Sequence, residues 1–429
     1  MLLFSPLLLA ALPSGVEWRT LRPDERNDME RVERLLSSSY VSSDDGSLRV
    51  LYSQASLAWR LTPPGTLAPL LLGLSEGEEL VGFVCATPSP LRLYGTPLAA
   101  VEVSLLCVRP DWREKGVAQL LLAELRRRGA ELGVQGAIYT TANPRSRPLL
   151  RASTFHRVLR PRELVESGFW QPSPTELQRM EAEGNQPFPH TQQQTDAEGT
   201  RHHEFGRDGE GNGPLKNQKI GERGVGDGRE PEEWGDVASS PSPSLRLPPL
   251  PADLSFRRMK RTDCERCLDL MRRQDEGLLL SHSFSLDLFC HRFVDDGAEC
   301  AATHSFVATR SAPSGGEVMG FVSFTLVPLI TKHGTLLQAQ LLGVAAEGMC
   351  ASSSRQLMLQ GLLTAALHEA CTCGAHVLNT LTLAEISPEL LEPLGFARGD
   401  ADTYICIEAG VIDAPAKELL PSQVGWLPT

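Results

Sequence analysis

The sequence lacks the features that mark membrane-spanning and disulfide-stabilised proteins. Its N-terminal stretch, MLLFSPLLLAALPSG, is too short to span a bilayer, and no basic residue precedes its apolar core. The ten cysteines show none of the regular spacing of a disulfide framework, which favours a reducing compartment. We therefore set residues 1–15 apart as an apolar N-terminal segment and expect a cytoplasmic protein without stable membrane insertion.

Zinc and nucleotide motifs are missing as well. Cys264 and Cys267 form one C-x-x-C pair, but no second pair completes a four-ligand zinc site, so we expect no metal. Neither G-x-x-x-x-G-K-[ST] nor G-x-G-x-x-G occurs, which argues against the common nucleotide-binding loops. A net charge of −12, from 53 acidic and 41 basic residues, argues against a general nucleic-acid partner. A cationic peptide or a small molecule remains compatible with that charge.

Two regions of alternating strand and helix patterns flank a polar tract. Residues 16–170 contain a helical period in RNDMERVERLLSSSY and buried-strand patterns in ELVGFVCATPS and AAVEVSLLCVRP. Residues 171–242 are rich in Gly, Glu, Gln, Pro and Arg and poor in Val, Ile and Leu, so we predict a disordered inserted linker. Residues 243–429 repeat the first layout, because EVMGFVSFTLVP echoes EELVGFVCATPS and a similar strand, turn and helix begin both regions. The sequence predicts an α/β fold with a mixed sheet, built from a duplicated unit.

A short basic turn between a buried strand and a helix is the first candidate site. It lies in SLLCVRPDWREKGVAQLLL, where Arg113 to Ala118 fit R-x-x-G-x-A. Glycine permits close backbone approach, the helix N-terminus offers unpaired N–H groups, and Arg113 and Lys115 add charge. Pyrophosphate suits such a cradle, although a basic turn without a ligand fits the same residues. The layout resembles acyl-CoA transferases of the GNAT type. The second half has no such motif, which implies one acyl-CoA site.

Further motifs resemble one family, the glycylpeptide N-tetradecanoyltransferases (N-myristoyltransferases). Its LPxGFxW, NYVEDDD and YSPxFLxWALxPPG are similar to LPSGVEW, SYVSSDD and YSQASLAWRLTPPG here. Its NFLCVHKKLRSKRVAPVLI is similar to the strand and turn just described, and its HRxLNPxKLIExxF to FHRVLRPRELVESGF. The similarity is dense from Tyr40 to Phe169 and faint after Phe256.

The resemblance implies a fold and an activity. The fold would be two tandem GNAT-like halves in a pseudo-symmetric saddle, the first binding acyl-CoA and the second contributing peptide contacts and the chain end. The activity would transfer a myristoyl group from myristoyl-CoA, the acyl donor, to the N-terminal glycine amine of protein substrates. No permanently bound cofactor is implied, and we expect a monomer.

The resemblance also implies site residues. The backbone amides of Leu105 and Leu106 would form the oxyanion hole, and the terminal carboxylate of Thr429 would accept the proton of the glycine amine. Coenzyme-binding positions fall on Cys107, Val108, Arg113, Glu114, Lys115, Gly116, Val117 and Ala118. Peptide-binding positions fall on Tyr40, Asp44, Asp45, Tyr52, Tyr139, Thr140 and His156.

The implied chemistry needs no side-chain nucleophile, because a thioester is already activated. An α-carboxylate with a pKa of about 3.5 is a weak base for an α-ammonium with a pKa of about 8. Burial must narrow that gap, since it raises the carboxylate pKa and lowers the amine pKa. Cys107 with His156 as its base could form an acyl-enzyme, but a buried structural cysteine is the commoner role for such a residue.

Departures from the family keep two alternatives open. The family's aromatic segment before LPxG, which covers the acyl-CoA, has no match here, and Gly116 and Ala142 replace an Arg and a Gly. One alternative is a GNAT-type N-acetyltransferase, which the REKGVA turn allows. The other is a non-catalytic relative that binds acyl-CoA or peptide.

Overall fold

The computed structural model describes residues 12, 14–40, 48–144, 147–171, 173, 175, 247–252, 254–294, 303–310, 316–348, 352–409 and 418–428. The acidic pair Asp44 and Asp45, the terminal Thr429 and nearly all of the predicted linker lie outside these residues, as do residues 1–11.

Helices form where the sequence showed a 3.6-residue apolar period. The first of them buries Met29, Val32, Leu35 and Leu36, which lie three or four residues apart on one face. Two begin at serine caps: Ser53 Oγ accepts from Ser56 N at 3.1 Å, and Ser285 Oγ accepts from Leu288 N at 3.2 Å. The helices are α1 Arg26–Ser39, α2 Gln54–Leu61, α3 Val117–Glu131, α4 Pro161–Glu166, α5 Cys264–Gln274, α6 Leu286–Phe293, α7 Ser352–Thr372 and α8 Pro388–Leu391.

Strands form at the continuous apolar runs, which the sheet buries on both faces. The strands are β1 Val16–Thr20, β2 Arg49–Val50, β3 Leu71–Glu76, β4 Glu79–Pro88, β5 Leu91–Leu93, β6 Thr96–Leu98, β7 Ala100–Val108, β8 Gly136–Thr141, β9 Leu150–Val158, β10 Leu254–Arg258, β11 Leu280–His282, β12 His304–Arg310, β13 Val318–Ile330, β14 Thr335–Ala346, β15 Val377–Leu381 and β16 Ala397–Ala409.

The main sheet has a strand order that is symmetric about its centre. The order is β1-β3-β4-β7-β8-β16-β9-β15-β14-β13-β12-β10, with β2 added at β13. Two neighbouring pairs are parallel, β7 with β8 and β14 with β15, and they occupy equivalent places in the two halves of the order. The duplicated layout predicted from the sequence is therefore present as a duplicated half-sheet.

The two halves exchange their last strands. β9 follows β8 in the chain but pairs antiparallel with β15, while β16 returns from the second half to pair with β8. β9 and β16 also pair with each other and so form the centre of the sheet. The described residues thus share one continuous sheet rather than two separate ones.

Helices cover both faces of each half-sheet. In the first half, α1 and α2 pack with β4 and β7 in one apolar cluster, and α3 packs with the opposite face in another. In the second half, α5 and α6 form a cluster that includes Phe289, Phe293 and Phe321, while α7 packs into the largest cluster. A small sheet of β11, β5 and β6 joins the second half to the first. Within the described ranges, no helix is both long and apolar enough to cross a membrane.

Candidate active site

Strand β7 separates from its parallel neighbour halfway along its length. Pairing with β8 runs from Ala100 opposite Gly136 to Glu102 opposite Ile138, after which the strands diverge. Beyond Glu102, β7 stays paired with β4 alone, while β8 continues along β16. The divergence opens a wedge at the carboxyl end of β7, where a ligand can reach backbone groups.

A bulge occupies β7 at this wedge. Ser104 pairs with Cys85 and Cys107 pairs with Phe83, so Leu105 and Leu106 have no partner residue in the β4 register. Leu105 has a φ of +54°, a left-handed conformation that costs a non-glycine residue about 1–3 kcal/mol. Its side chain is buried against α1 and α2, while that of Leu106 is 36% exposed. The bulge therefore takes two successive residues of β7 out of the β4 register, at the point where β7 leaves β8.

The turn after β7 leads into the N-terminus of α3. Gly116 is the N-cap residue, and its carbonyl accepts the first helical hydrogen bond, from Leu120 N at 3.0 Å. The N–H groups of Val117, Ala118 and Gln119 precede that bond, so they have no partner within the helix. Gly116 has a φ of +78°, and an added Cβ would meet nothing within 4 Å. The glycine is required by its backbone conformation rather than by the close approach that the sequence suggested.

The basic side chains of the turn are engaged with the protein. Arg113 donates to the carbonyls of Ser39 at 2.7 Å and of Val108 at 3.2 Å, joining the end of α1 to the end of β7. Lys115 lies over the Trp112 ring with Nζ 4.8 Å from its centroid. Arg113 therefore fixes the shape of the turn. Glu114, like Gly116, has a left-handed backbone conformation, with a φ of +61°.

Cys107, Tyr40 and Tyr52 lie in the core that β7 forms with α1 and α2, on the face of the sheet opposite α3. Burial raises the pKa of the Cys107 thiol to about 12, and its Sγ lies 3.9 Å from the Leu35 carbonyl oxygen. Tyr40 and Tyr52 stack edge to face with centroids 6.0 Å apart, and burial raises the pKa of both phenols. The structure thus brings these two predicted peptide-groove residues together, and it places Cys107 as a neutral core thiol.

Three more of the predicted peptide-groove residues fall on β8 and β9. Tyr139 and Thr140 lie on β8 opposite Cys406 and Ile405 of β16, with Thr140 exposed. His156 lies on β9, and its Nδ1 is 2.9 Å from Asn379 Oδ1 on β15. Asn379, which the sequence alone did not assign, is therefore the second-half partner of a predicted first-half site residue.

The chain end is buried beside the start of β7. Trp426 is fully buried and its Nε1 donates to Ser89 Oγ at 3.3 Å, while Ser89 N donates to the Ala100 carbonyl at 3.0 Å. Gly425 N donates to the Leu280 carbonyl at 2.8 Å and so ties this segment to β11. Residues 425–427 are thus held in the fold by burial and by these hydrogen bonds.

Arg292 on α6 is the main polar contact of that segment. Its guanidinium donates to the Leu427 carbonyl at 2.6 Å and to the Pro428 carbonyl at 3.3 Å. His282 Nε2 lies 3.3 Å from the same Leu427 oxygen, and burial lowers the pKa of this histidine well below its ordinary value. The neutral imidazole of His282 therefore donates a hydrogen bond to the Leu427 carbonyl. Of the two side chains described at this oxygen, Arg292 is the charged one.

A small cleft lies in front of this anchor. Its lining includes Arg60, Glu102 and Arg292 among aromatic and apolar side chains. Burial lowers the pKa of Arg292 to about 10, and the nearby Glu102 carboxylate counteracts that effect. Sequence reasoning missed these residues. The one available signal was Glu102, a carboxylate within the otherwise apolar run AAVEVSLLCV.

Sequence comparisons identify both halves of the chain. Residues 8–151 match the family model described as myristoyl-CoA:protein N-myristoyltransferase, N-terminal domain, and residues 239–404 match the C-terminal domain of the same family. Glycylpeptide N-tetradecanoyltransferase 2 of Bos taurus is 37% identical over 161 residues, which are 37% of this chain and 32% of that protein. The Dictyostelium discoideum glycylpeptide N-tetradecanoyltransferase is 34% identical over 160 residues, which are 37% of this chain and 39% of that protein. The matched segment thus spans roughly a third of these curated relatives.

Structural comparison agrees with the sequence models. Saccharomyces cerevisiae N-myristoyltransferase, solved with bound myristoyl-CoA, superposes with a TM-score of 0.74 at 21% identity, over 96% of this chain and 82% of that one. A second structure of that enzyme gives a TM-score of 0.75 over 98% of this chain and 91% of that one. The predicted mixed-sheet, GNAT-like fold is confirmed. With both domain models matched in order along one continuous sheet, the chain belongs to the myristoyl-CoA:protein N-myristoyltransferase family.

Proposed function

We propose that this chain transfers a myristoyl group from myristoyl-CoA to the N-terminal glycine amine of protein substrates. The observation that carries the proposal is the bulge at Leu105 and Leu106, which lies where β7 leaves β8 and offers two successive backbone amides as candidate oxyanion donors. Two preorganised N–H donors are what a tetrahedral oxyanion requires, and removal of one such donor typically lowers the rate 10²–10³-fold.

The acyl group passes directly from sulfur to nitrogen. The neutral amine attacks the thioester carbon, the C–N bond forms, and the negative charge on oxygen is held by the amides of Leu105 and Leu106. Collapse of this intermediate breaks the C–S bond and releases coenzyme A as its thiolate, which takes up a proton. An acyl-enzyme on Cys107 is not part of the mechanism, because that thiol is buried and neutral.

The terminal carboxylate of Thr429 is the proposed base. Pro428, the residue before it, has its carbonyl bonded to the buried Arg292, and Arg292 and Glu102 line a cleft beside that contact. A buried carboxylate has a higher pKa than one in water, which makes it a better proton acceptor for the amine.

The coenzyme is proposed to bind across the N-terminus of α3. Unpaired N–H groups of Val117 and Ala118 and the positive end of the helix dipole favour the pyrophosphate there. Arg113 stabilises the turn through hydrogen bonds to backbone carbonyls, while the exposed Lys115 lies at the surface of the turn. Cys107 and Val108 offer backbone rather than side-chain contacts in this arrangement.

The acceptor peptide is proposed to lie along the exchanged strands, near Tyr139, Thr140 and His156, and to continue past Tyr40 and Tyr52. Asp44 and Asp45 stay predicted contacts for a basic residue of the substrate. The described cysteines are all free thiols, in keeping with the reducing cytoplasm that we propose for a monomeric enzyme.

A direct transfer assay tests the proposal. The purified full chain is incubated with myristoyl-CoA and an octapeptide that begins with glycine, and the same peptide beginning with alanine is the matched control. We expect acylation of the glycine peptide alone, and faster reaction with myristoyl-CoA than with acetyl-CoA. Reaction with acetyl-CoA alone would establish an N-acetyltransferase, and binding of acyl-CoA without transfer would establish a non-catalytic relative.

Two variants test the residues. Removal of Thr429 should abolish transfer while acyl-CoA binding is retained, and unchanged turnover would refute its role as base. Leu106→Pro removes one proposed oxyanion donor and should lower kcat about 10²–10³-fold. Leu106→Ala keeps the amide and trims only a partly exposed side chain, so it should leave kcat within a few-fold of wild type.

A further inference from the structure

A histidine, a glutamate and a cysteine converge in the second half, away from the wedge at β7. His304 is the first residue of β12, Glu369 lies in the last turn of α7, and Cys373 directly follows that helix. One ligating atom from each lies within 4.8 Å of the other two. Sequence spacing gives no hint of this group, because strand and helix bring together residues more than sixty positions apart.

The distances within the group fit the edges of a tetrahedron around a zinc ion. Cys373 Sγ lies 3.6 Å from His304 Nδ1 and 3.7 Å from Glu369 Oε1. Zn–S bonds of about 2.3 Å and Zn–N or Zn–O bonds of about 2.0–2.1 Å at tetrahedral angles give edges of about 3.5 Å. The two edges that meet at Cys373 Sγ are therefore within a few tenths of an ångström of those around a shared ion, and the third, between the histidine and the glutamate, is at most 4.8 Å.

The surrounding residues hold the three side chains in orientation. The His304 ring is buried and stacks in parallel on Phe324, with centroids 5.1 Å apart, which fixes the direction of Nδ1. Glu369 and Cys373 are four residues apart, and Cys373 N donates to the Glu369 carbonyl at 2.8 Å, so both project from one helical face. Arg258 Nη2 donates to Glu369 Oε1 at 2.9 Å.

The chemistry of the donors selects among cations. A thiolate and a carboxylate carry two negative charges, which balance a divalent ion, and one sulfur, one nitrogen and one oxygen donor suit zinc better than magnesium or calcium. Without a metal, burial raises the pKa of the Cys373 thiol to about 11, so binding releases its proton. Arg258 opposes binding, since it competes for the carboxylate and repels the cation.

We propose that His304, Glu369 and Cys373 form a Zn²⁺ site that ties the end of α7 to the start of β12. Three protein ligands leave the fourth position to water. The bond would fasten the longest helix of the described residues to an outer strand of the sheet, so its effect is on stability and not on acyl transfer.

Cobalt titration of the full chain, first freed of metal with a chelator, tests the site. We expect one equivalent of Co²⁺ to give a thiolate-to-cobalt charge-transfer band in the near ultraviolet, which one equivalent of Zn²⁺ abolishes. Cys373→Ser should lose the band and at least tenfold in Zn²⁺ affinity. Cys371→Ser, at the same helix end, is the matched control and should retain both.

A second variant separates metal binding from packing. Arg258→Gln removes the competing cation and should tighten Zn²⁺ binding several-fold, whereas a residue that merely supported the fold would not improve it. Absence of the band in the wild-type chain, or its persistence in Cys373→Ser, would overturn the proposal. Weaker binding by Arg258→Gln would equally contradict the geometry on which it rests.

Discussion

The most revealing perturbation is the replacement of Arg292 by methionine. Its guanidinium is the charged anchor of the chain end, with hydrogen bonds to the Leu427 and Pro428 carbonyls. Methionine fills a similar volume without charge or donors. If the terminal carboxylate is the base, release of this segment should impair transfer even in a fully folded protein.

The structure predicts a small effect of Arg292→Met on stability and a large effect on kcat. Burial lowers the pKa of Arg292 to about 10, which corresponds to a net cost on the order of 3 kcal/mol for holding the charge there, after the opposing effect of Glu102, at about 1.4 kcal/mol per pH unit. Hydrogen bonds to a charged group contribute about 1.5–3 kcal/mol each, so gain and cost nearly cancel. We expect the free energy of unfolding of Arg292→Met to change by no more than about 2 kcal/mol. A general base typically contributes 10²–10⁴-fold, so kcat should fall about 10²-fold or more.

Urea unfolding and steady-state transfer kinetics measure the two quantities on the same samples. Arg272→Met is the matched control, because Arg272 also donates to a backbone carbonyl, that of Phe284 at 3.1 Å, but not to the chain end. It should leave kcat within a few-fold of wild type. Arg292→Lys keeps the charge and should recover part of the activity. A folded Arg292→Met with wild-type kcat would refute the argument that this residue positions the base.

Three further predictions concern other parts of the site. Gly116→Ala forces a left-handed φ of +78° on alanine and should weaken acyl-CoA binding, measured by calorimetry. Gly133→Ala is the control, because Gly133 has a φ of +76° and equally open space at the other end of α3, so this variant should carry the same strain without the loss of binding. Equal acyl-CoA binding by the two variants would contradict the proposed pyrophosphate cradle. Asn379→Ala removes the hydrogen bond to His156 that joins the two halves. It should lower the free energy of unfolding in urea by about 0.5–1.5 kcal/mol and raise the KM for the peptide. An unchanged KM would show that this pair is not part of the peptide groove. Burial raises the pKa of Asp275 to about 8, so the folded form favours the proton and stability is lost as pH rises from about 4 to about 8. Asp275→Asn should flatten the decline over that same pH range in urea unfolding, and an unaltered slope would show that another group titrates.

Much of the fold could be predicted because local patterns agree with the final elements. The runs AAVEVSLLCV and VMGFVSFTLV are apolar enough to require burial on both faces, and they form β7 and β13. The helical period of RNDMERVERLLSSS gives α1 with its limits almost unchanged. The exchange of β9 and β16 could not be predicted, because both strands have the same pattern and only tertiary pairing chooses the partner.

The candidate site likewise has parts that could be predicted from the sequence and parts that could not. The turn before α3 is local, so its motif predicted the helix N-terminus and the need for glycine at position 116, though not its physical reason. The assignment of Leu105 and Leu106 to an oxyanion hole came from the family resemblance alone, and the bulge there was not predicted, since a φ of +54° leaves no trace in an apolar run. Arg292, Glu102 and Asn379 approach the site through contacts between distant segments, and no spacing in the chain announces such contacts.

The exchange of strands also explains why one site needs both halves. The bulge and the α3 N-terminus belong to the first half, whereas Arg292 and the chain end belong to the second. β16 carries the chain back to β8, and Trp426 then reaches Ser89 beside the start of β7. The exchange thus brings the segment that ends at Pro428 to the same half of the sheet as the wedge at β7, where we propose that the acyl donor binds.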